Sequence, residues 1–87
     1  MGSVGTIRKF DWNKANIEHV ARHAVTPGEV EEVFANGLSG VVDYARQGER
    51  RSSGVGATDA GRRLLVVFTM RRGRVRTVTA YPARSKQ

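Results

Sequence analysis

Arg62-Arg63-Leu64-Leu65-Val66-Val67-Phe68-Thr69-Met70-Arg71-Arg72-Gly73-Arg74-Val75-Arg76-Thr77-Val78-Thr79-Ala80-Tyr81 is the stretch on which the fold turns. Two runs rich in β-branched and apolar residues flank Arg72-Gly73, a pair suited to a two-residue hairpin loop, so the spacing predicts strands over 62–71 and 74–81. Such a loop sets Arg71 opposite Arg74, Thr69 opposite Arg76, Val67 opposite Val78 and Leu65 opposite Ala80, all on one face. The other face carries Leu64, Val66, Phe68, Met70, Val75, Thr77, Thr79 and Tyr81. Being the more apolar, it is expected to form the core, with Tyr81 near its edge and Arg71, Arg74 and Arg76 on the open side. A slip of one residue would exchange the faces, so the assignment depends on the register.

Outward from the hairpin, the N-terminal half reads as helical. Residues 6–11 alternate as a short strand, Asn13 is an N-cap, and Ile17, Val20, Ala21 and Ala24 fall at helical spacing over 14–23, with Trp12 placed to staple against Ile17. Thr26-Pro27-Gly28-Glu29 forms a capping box with Pro at the first helical position. Val30, Val33 and Phe34 make the buried stripe of that second helix, Glu29, Glu31 and Glu32 favour its dipole, and Asn36-Gly37 ends it. Strands are expected over 38–44 and 50–58, joined by a polar link at 46–49, with a turn at 59–61 before the hairpin. The order β-α-α-β-β-β-β describes one α+β domain over 1–87, two helices packed on a mainly antiparallel sheet.

The chain has 87 residues, 15 Lys+Arg against 8 Asp+Glu, a net charge of +7 and no cysteine. That size supports a thin single core and leaves little room for a deep pocket. After Asp59 come Arg62, Arg63, Arg71, Arg72, Arg74, Arg76, Arg84 and Lys86 with no further acid. Surfaces built only for solubility mix signs, so a one-signed hairpin points to a polyanion or an acidic partner. Thiolate chemistry and disulfides are excluded, and no apolar run approaches the length of a membrane span or a signal peptide, so a cytoplasmic location is expected.

Candidate chemistry is sparse. His19 and His23 share a helix face, but no third ligand stands at a metal-binding spacing, and His23 in the last helical turn suits the helix dipole. Gly54-Val55-Gly56 lacks the Lys-Ser/Thr and the following helix of a phosphate-binding loop. Ser52 and Ser53 have no His-acid partner pattern, and Trp12 reads as a core anchor more readily than as a stacking platform for a base.

The order of elements, together with Phe10-Asp11-Trp12, Asn16 through Arg22-His23-Ala24-Val25-Thr26, Glu29-Val30-Glu31-Glu32-Val33-Phe34, Gly61 through Phe68 and Arg76-Thr77-Val78-Thr79-Ala80, resembles the BrnT family of bacterial type II toxins. These are ribonucleases with a fold like that of the RelE toxin superfamily. The resemblance implies RNA cleavage without a metal or other cofactor, inhibition of translation, and neutralisation by a DNA-binding antitoxin, expected to be of ribbon-helix-helix type, through which the pair reaches operator DNA. Three positions depart from the pattern. Ala24 stands where Gly is common, Tyr81 where many members have arginine, and the chain stops at Gln87 where members usually continue into a basic C-terminal helix, which is expected to be short or missing here.

For the cleavage so implied, a ribose 2′-hydroxyl attacks the adjacent phosphate. Arg71 and Arg76 are expected to stabilise the phosphorane, and Tyr81 or His23 to assist proton transfer. Arg62, Arg63, Arg72, Arg74 and Arg84 are expected to position the RNA. The alternative is a binding module without chemistry, a degenerate or truncated toxin whose basic sheet docks on nucleic acid or on the antitoxin.

Overall fold

The computed structural model describes residues 9–83. Its elements run β1 (Lys9–Phe10), α1 (Lys14–Ala21), α2 (Pro27–Asn36), β2 (Ser39–Arg46), β3 (Glu49–Ala57), β4 (Arg63–Arg71) and β5 (Arg74–Pro82). They form one five-stranded sheet in the order β1-β5-β4-β3-β2. The expected α+β order is the observed one. Residues 6–8 of the first expected strand lie outside the described residues. β1 pairs with β5 in parallel, and every other pairing is antiparallel.

Local chemistry accounts for the helices. Asn13 caps α1 through a reciprocal pair of bonds with Asn16, at 2.9 and 2.8 Å, so an Asn fills the role usually given to Glu. Thr26 and Glu29 form the second capping box, with both bonds at 3.1 Å. α1 ends at Ala21, which leaves His23 in the following turn, beyond the helix end where it was expected. Ala24 then takes a left-handed φ of 59° and turns Val25 into the core. Ile17, Ala21 and Ala24 are exposed, and α1 buries only Asn16 and Val20, because it lies along the margin of the sheet and one narrow stripe is covered. Trp12 stacks on Phe10, and its indole donates to Glu31 at 2.9 Å.

Both hairpins close on a residue–glycine pair with positive φ, Gln47-Gly48 (53° and 81°) and Arg72-Gly73 (52° and 78°), as a type I′ turn requires. The second turn sets Arg71 opposite Arg74 and Thr69 opposite Arg76, as expected. The expected register fails further along. Phe68 pairs with Thr77 but Val67 pairs with Thr79, so Val78 is an extra residue, a β-bulge. Beyond it the faces of β5 exchange. Ala80 points into the core at 0% exposure, while Tyr81 shares the opposite face with Leu65 and is 37% exposed. Met70, also expected inside, is 49% exposed near the hairpin end.

The core gathers Val20, Val25, Val30, Val33, Leu64, Val66, Phe68, Val75 and Ala80. Phe10, Phe34 and Phe68 meet edge to face in succession, at 5.4 and 4.9 Å between ring centres, tying β1, α2 and β4 together. Gly56 marks a close approach of α2 to the sheet, where a Cβ would stand 2.7 Å from Val33 Cγ1. The glycines of 54–56 therefore serve packing.

Candidate functional site

Strand alternation puts Arg71, Arg74 and Arg76 on the face turned away from the helices, and Glu49 and Arg51 of β3 on that same face. Arg51 Nε donates to Glu49 Oε1 at 2.9 Å, and Arg76 Nη1 stands 3.8 Å from Glu49 Oε2. All three side chains are half-buried. They share a cleft of about 290 Å³ with Asn13, Ala15, Asn16 and His19 of the α1 region and Thr77 and Val78 of β5. The Oγ1 of Thr77 is buried and meets no hydrogen-bond partner among the described residues.

The bulge organises this cleft. β1 covers β5 only at Arg74 and Val75, so from Arg76 onward the outer edge of β5 faces α1. His19 Nδ1 lies 3.1 Å from the Val78 carbonyl oxygen. A carbonyl only accepts, so this contact is a hydrogen bond when Nδ1 carries the proton, and it leaves Nε2 to face a ligand. His19 also lines an adjoining groove with Arg22, His23, Val78 and Thr79. One path therefore runs along the β5 edge from Arg76 past His19 to His23, whose ring centre is 5.5 Å from that of Tyr81.

The remaining arginines separate by position. Arg71, Arg72 and Arg74 surround a groove of about 360 Å³ at the hairpin tip, with Asp11 opposite. Arg63 is exposed at the far end of β4. Arg62 is committed to the scaffold: it donates to Ala24 O at 2.8 Å, to His23 O at 3.3 Å and to both carboxylate oxygens of Glu29 at 3.2 Å, clamping the interhelical turn. Arg84 lies outside the described residues. Among the described residues, no three His, Cys, Asp or Glu side chains gather in a metal-binding group, and no helix is long and apolar enough to cross a membrane.

Residues 10–87 match the family model described as the ribonuclease toxin BrnT of type II toxin–antitoxin systems. The chain belongs to the BrnT family. Neither a comparison with curated proteins nor one with solved structures gives a match. Membership makes the chain a ribonuclease toxin of a type II system, with RNA as substrate and an antitoxin as partner. In this BrnT chain the hairpin arginines were legible in the sequence as a basic face. His19, read from the sequence only as sharing a helix face with His23, was not placed in this cleft, and Glu49 and Arg51 were missed beside Arg76. Their one signal was the alternation Glu49-Arg50-Arg51, which puts an acid and a base on one face but does not reveal which strand lies across from them.

Proposed function

We propose that this BrnT chain is a metal-independent endoribonuclease that stops translation by cutting RNA in the cytoplasm. In the same reading, a ribbon-helix-helix antitoxin neutralises it and carries the pair to operator DNA. The observation that carries the catalytic part is the convergence of Arg51 and Arg76, from strands not adjacent in the sheet, on one cleft that also holds His19 and Glu49. Cleavage through the ribose 2′-hydroxyl needs positive charge fixed where the phosphorane forms, and preorganised guanidinium groups supply it. Arg76 and Arg51 take that role, with Arg71, Arg72 and Arg74 holding the backbone of the strand at the hairpin tip. His23 and Tyr81 lie farther along the edge, where their paired rings suit contact with a neighbouring base.

The test is incubation of the purified chain with labelled mixed-sequence RNA in excess chelator, beside Arg76→Ala and Arg71→Ala. Chelator-resistant cleavage that falls by about 10²-fold or more in Arg76→Ala is the expected result. RNA that is bound in a salt-sensitive way but stays intact would mark a binding module and refute the catalytic reading.

A further inference from the structure

We propose that Glu49 and His19 are the acid–base pair of this cleft, Glu49 taking the proton from the attacking 2′-hydroxyl and His19 giving one to the departing 5′-oxygen. The assignment rests on the ribonuclease reading above and goes beyond it by naming the groups that move protons. Three observations converge on it.

First, Glu49 is an acid on a face that otherwise attracts anions, and it stands between two guanidinium groups. A carboxylate between two guanidinium groups is an acceptor only, so its part in a proton transfer is that of base. Oε1 is bonded to Arg51, whereas Oε2 stands 3.8 Å from Arg76, beyond hydrogen-bonding distance and open to a hydroxyl. Second, His19 Nδ1 lies 3.1 Å from the Val78 carbonyl oxygen, which can only accept, so with Nδ1–H directed there the nitrogen left to give a proton to a ligand is Nε2. The bulge that exchanges the faces of β5 is centred on the same Val78. Third, the two groups line one cleft with both arginines and come from different elements, Glu49 from β3 and His19 from α1. In-line displacement uses two separate groups, because base and acid act on opposite faces of the phosphorus. Arg22 and His23 are the other ionisable groups of the adjoining groove. The His23 ring is packed against Tyr81 and lies outside the lining of the cleft that holds both arginines.

The step balances without a co-reactant. The 2′-oxygen bonds to phosphorus as the bond from phosphorus to the 5′-oxygen breaks, the 2′-hydroxyl proton passes to Glu49, and the Nε2 proton of His19 passes to the 5′-oxygen. The products are a 2′,3′-cyclic phosphate and a 5′-hydroxyl end. Exchange with water restores both groups.

The experiment compares wild type with His19→Asn and Glu49→Gln on two RNA substrates, one natural and one carrying sulfur in place of the scissile 5′-oxygen. A thiolate leaves without protonation. On the natural substrate, kcat is expected to fall about 10²–10⁴-fold in His19→Asn and in Glu49→Gln. On the sulfur substrate, His19→Asn is expected to recover to within about tenfold of wild type, and Glu49→Gln to stay slow. Affinity for a non-cleavable 2′-deoxy analogue is expected to hold in His19→Asn and to hold or tighten in Glu49→Gln; a merely structural role in seating Arg51 would weaken it. His19 is exposed, and the Asn side chain can still donate to the Val78 carbonyl, so the variant is expected to fold, as circular dichroism will report. Equal slowing of His19→Asn on both substrates, or natural-substrate cleavage at the wild-type rate in either variant, overturns the assignment while leaving the ribonuclease reading intact. Intact RNA with the wild-type chain overturns both.

Discussion

Gly56→Ala tests how closely helix and sheet meet. The added methyl would lie 2.7 Å from Val33 Cγ1, 3.0 Å from the Gly37 carbonyl oxygen and 3.3 Å from that of Val33. Two of the three are backbone atoms, and Val33 is fully buried, so no flexible side chain can swing aside. Overpacking of this kind costs about 1–3 kcal/mol, from which the lower unfolded-state entropy of alanine removes about 0.4–1. The net loss, about 1.3 kcal/mol between the midpoints of those ranges, corresponds to a fall in Tm of about 5–10 °C for a chain of this size. Gly54→Ala is the internal comparison. Its nearest neighbours, Val41 Cγ2 at 3.1 Å and Leu38 Cβ and Cδ1 at 3.3 and 3.4 Å, belong to side chains of which Val41 is more than half exposed, so its destabilisation should be smaller. Thermal and urea unfolding followed by circular dichroism measure both. In a Val33→Ala background the cost of Gly56→Ala should shrink by about 1 kcal/mol, the coupling expected of residues that touch. Equal stability of Gly56→Ala and wild type, or equal destabilisation at Gly54 and Gly56, would refute the close approach of α2 to β3.

Ala24 holds a left-handed φ of 59°, so Ala24→Gly relieves about 1 kcal/mol of backbone strain, partly offset by the freedom of glycine in the unfolded chain, and calorimetry should show unchanged or slightly raised stability. A clear loss would mean that the αL turn is not formed there. Arg62→Met and the pair Arg71→Ala/Arg74→Ala should separate structure from binding. The first is expected to lose about 1–2 kcal/mol of stability, discounted for partial exposure, while keeping RNA affinity. The second should keep stability but flatten the slope of log affinity against log salt by about 1.4, since each phosphate neutralised on a single strand contributes about 0.7. Interchanged phenotypes would reverse the assignments of Arg62 and the hairpin tip.

The elements were legible because each is written locally. The capping box at Thr26–Glu29, the Arg72-Gly73 turn and the alternation of 62–71 each specify conformation within a few residues. The bulge was not legible. Thr77-Val78-Thr79-Ala80 continues a strand composition without glycine or proline, and only the burial of Ala80 against the helices reveals the extra residue. That one residue carried Tyr81 out of the core face and brought the Val78 carbonyl to His19. The cleft was illegible for a related reason: Arg76 and Glu49 meet across β4, so their approach depends on the register of three strands, and His19 joins them only through the docking of α1 at the sheet margin.

An acid on a face that must attract RNA works against binding by charge alone, but the geometry gives it a use. Glu49 accepts from Nε of Arg51, which fixes the plane of that guanidinium while leaving its terminal nitrogens available to a phosphate. Removing the carboxylate would raise the local positive charge and release the arginine from its orientation. The brevity of β1 completes the arrangement. A longer parallel partner would have satisfied the outer edge of β5 with backbone bonds and covered the Val78 carbonyl. Pairing only at Arg74 and Val75, β1 leaves the edge from Arg76 to Tyr81 for the side chains of α1. The site thus follows from a stretch of β5 edge that no strand covers among the described residues, with charge supplied by the hairpin and proton-carrying groups by the elements that flank it.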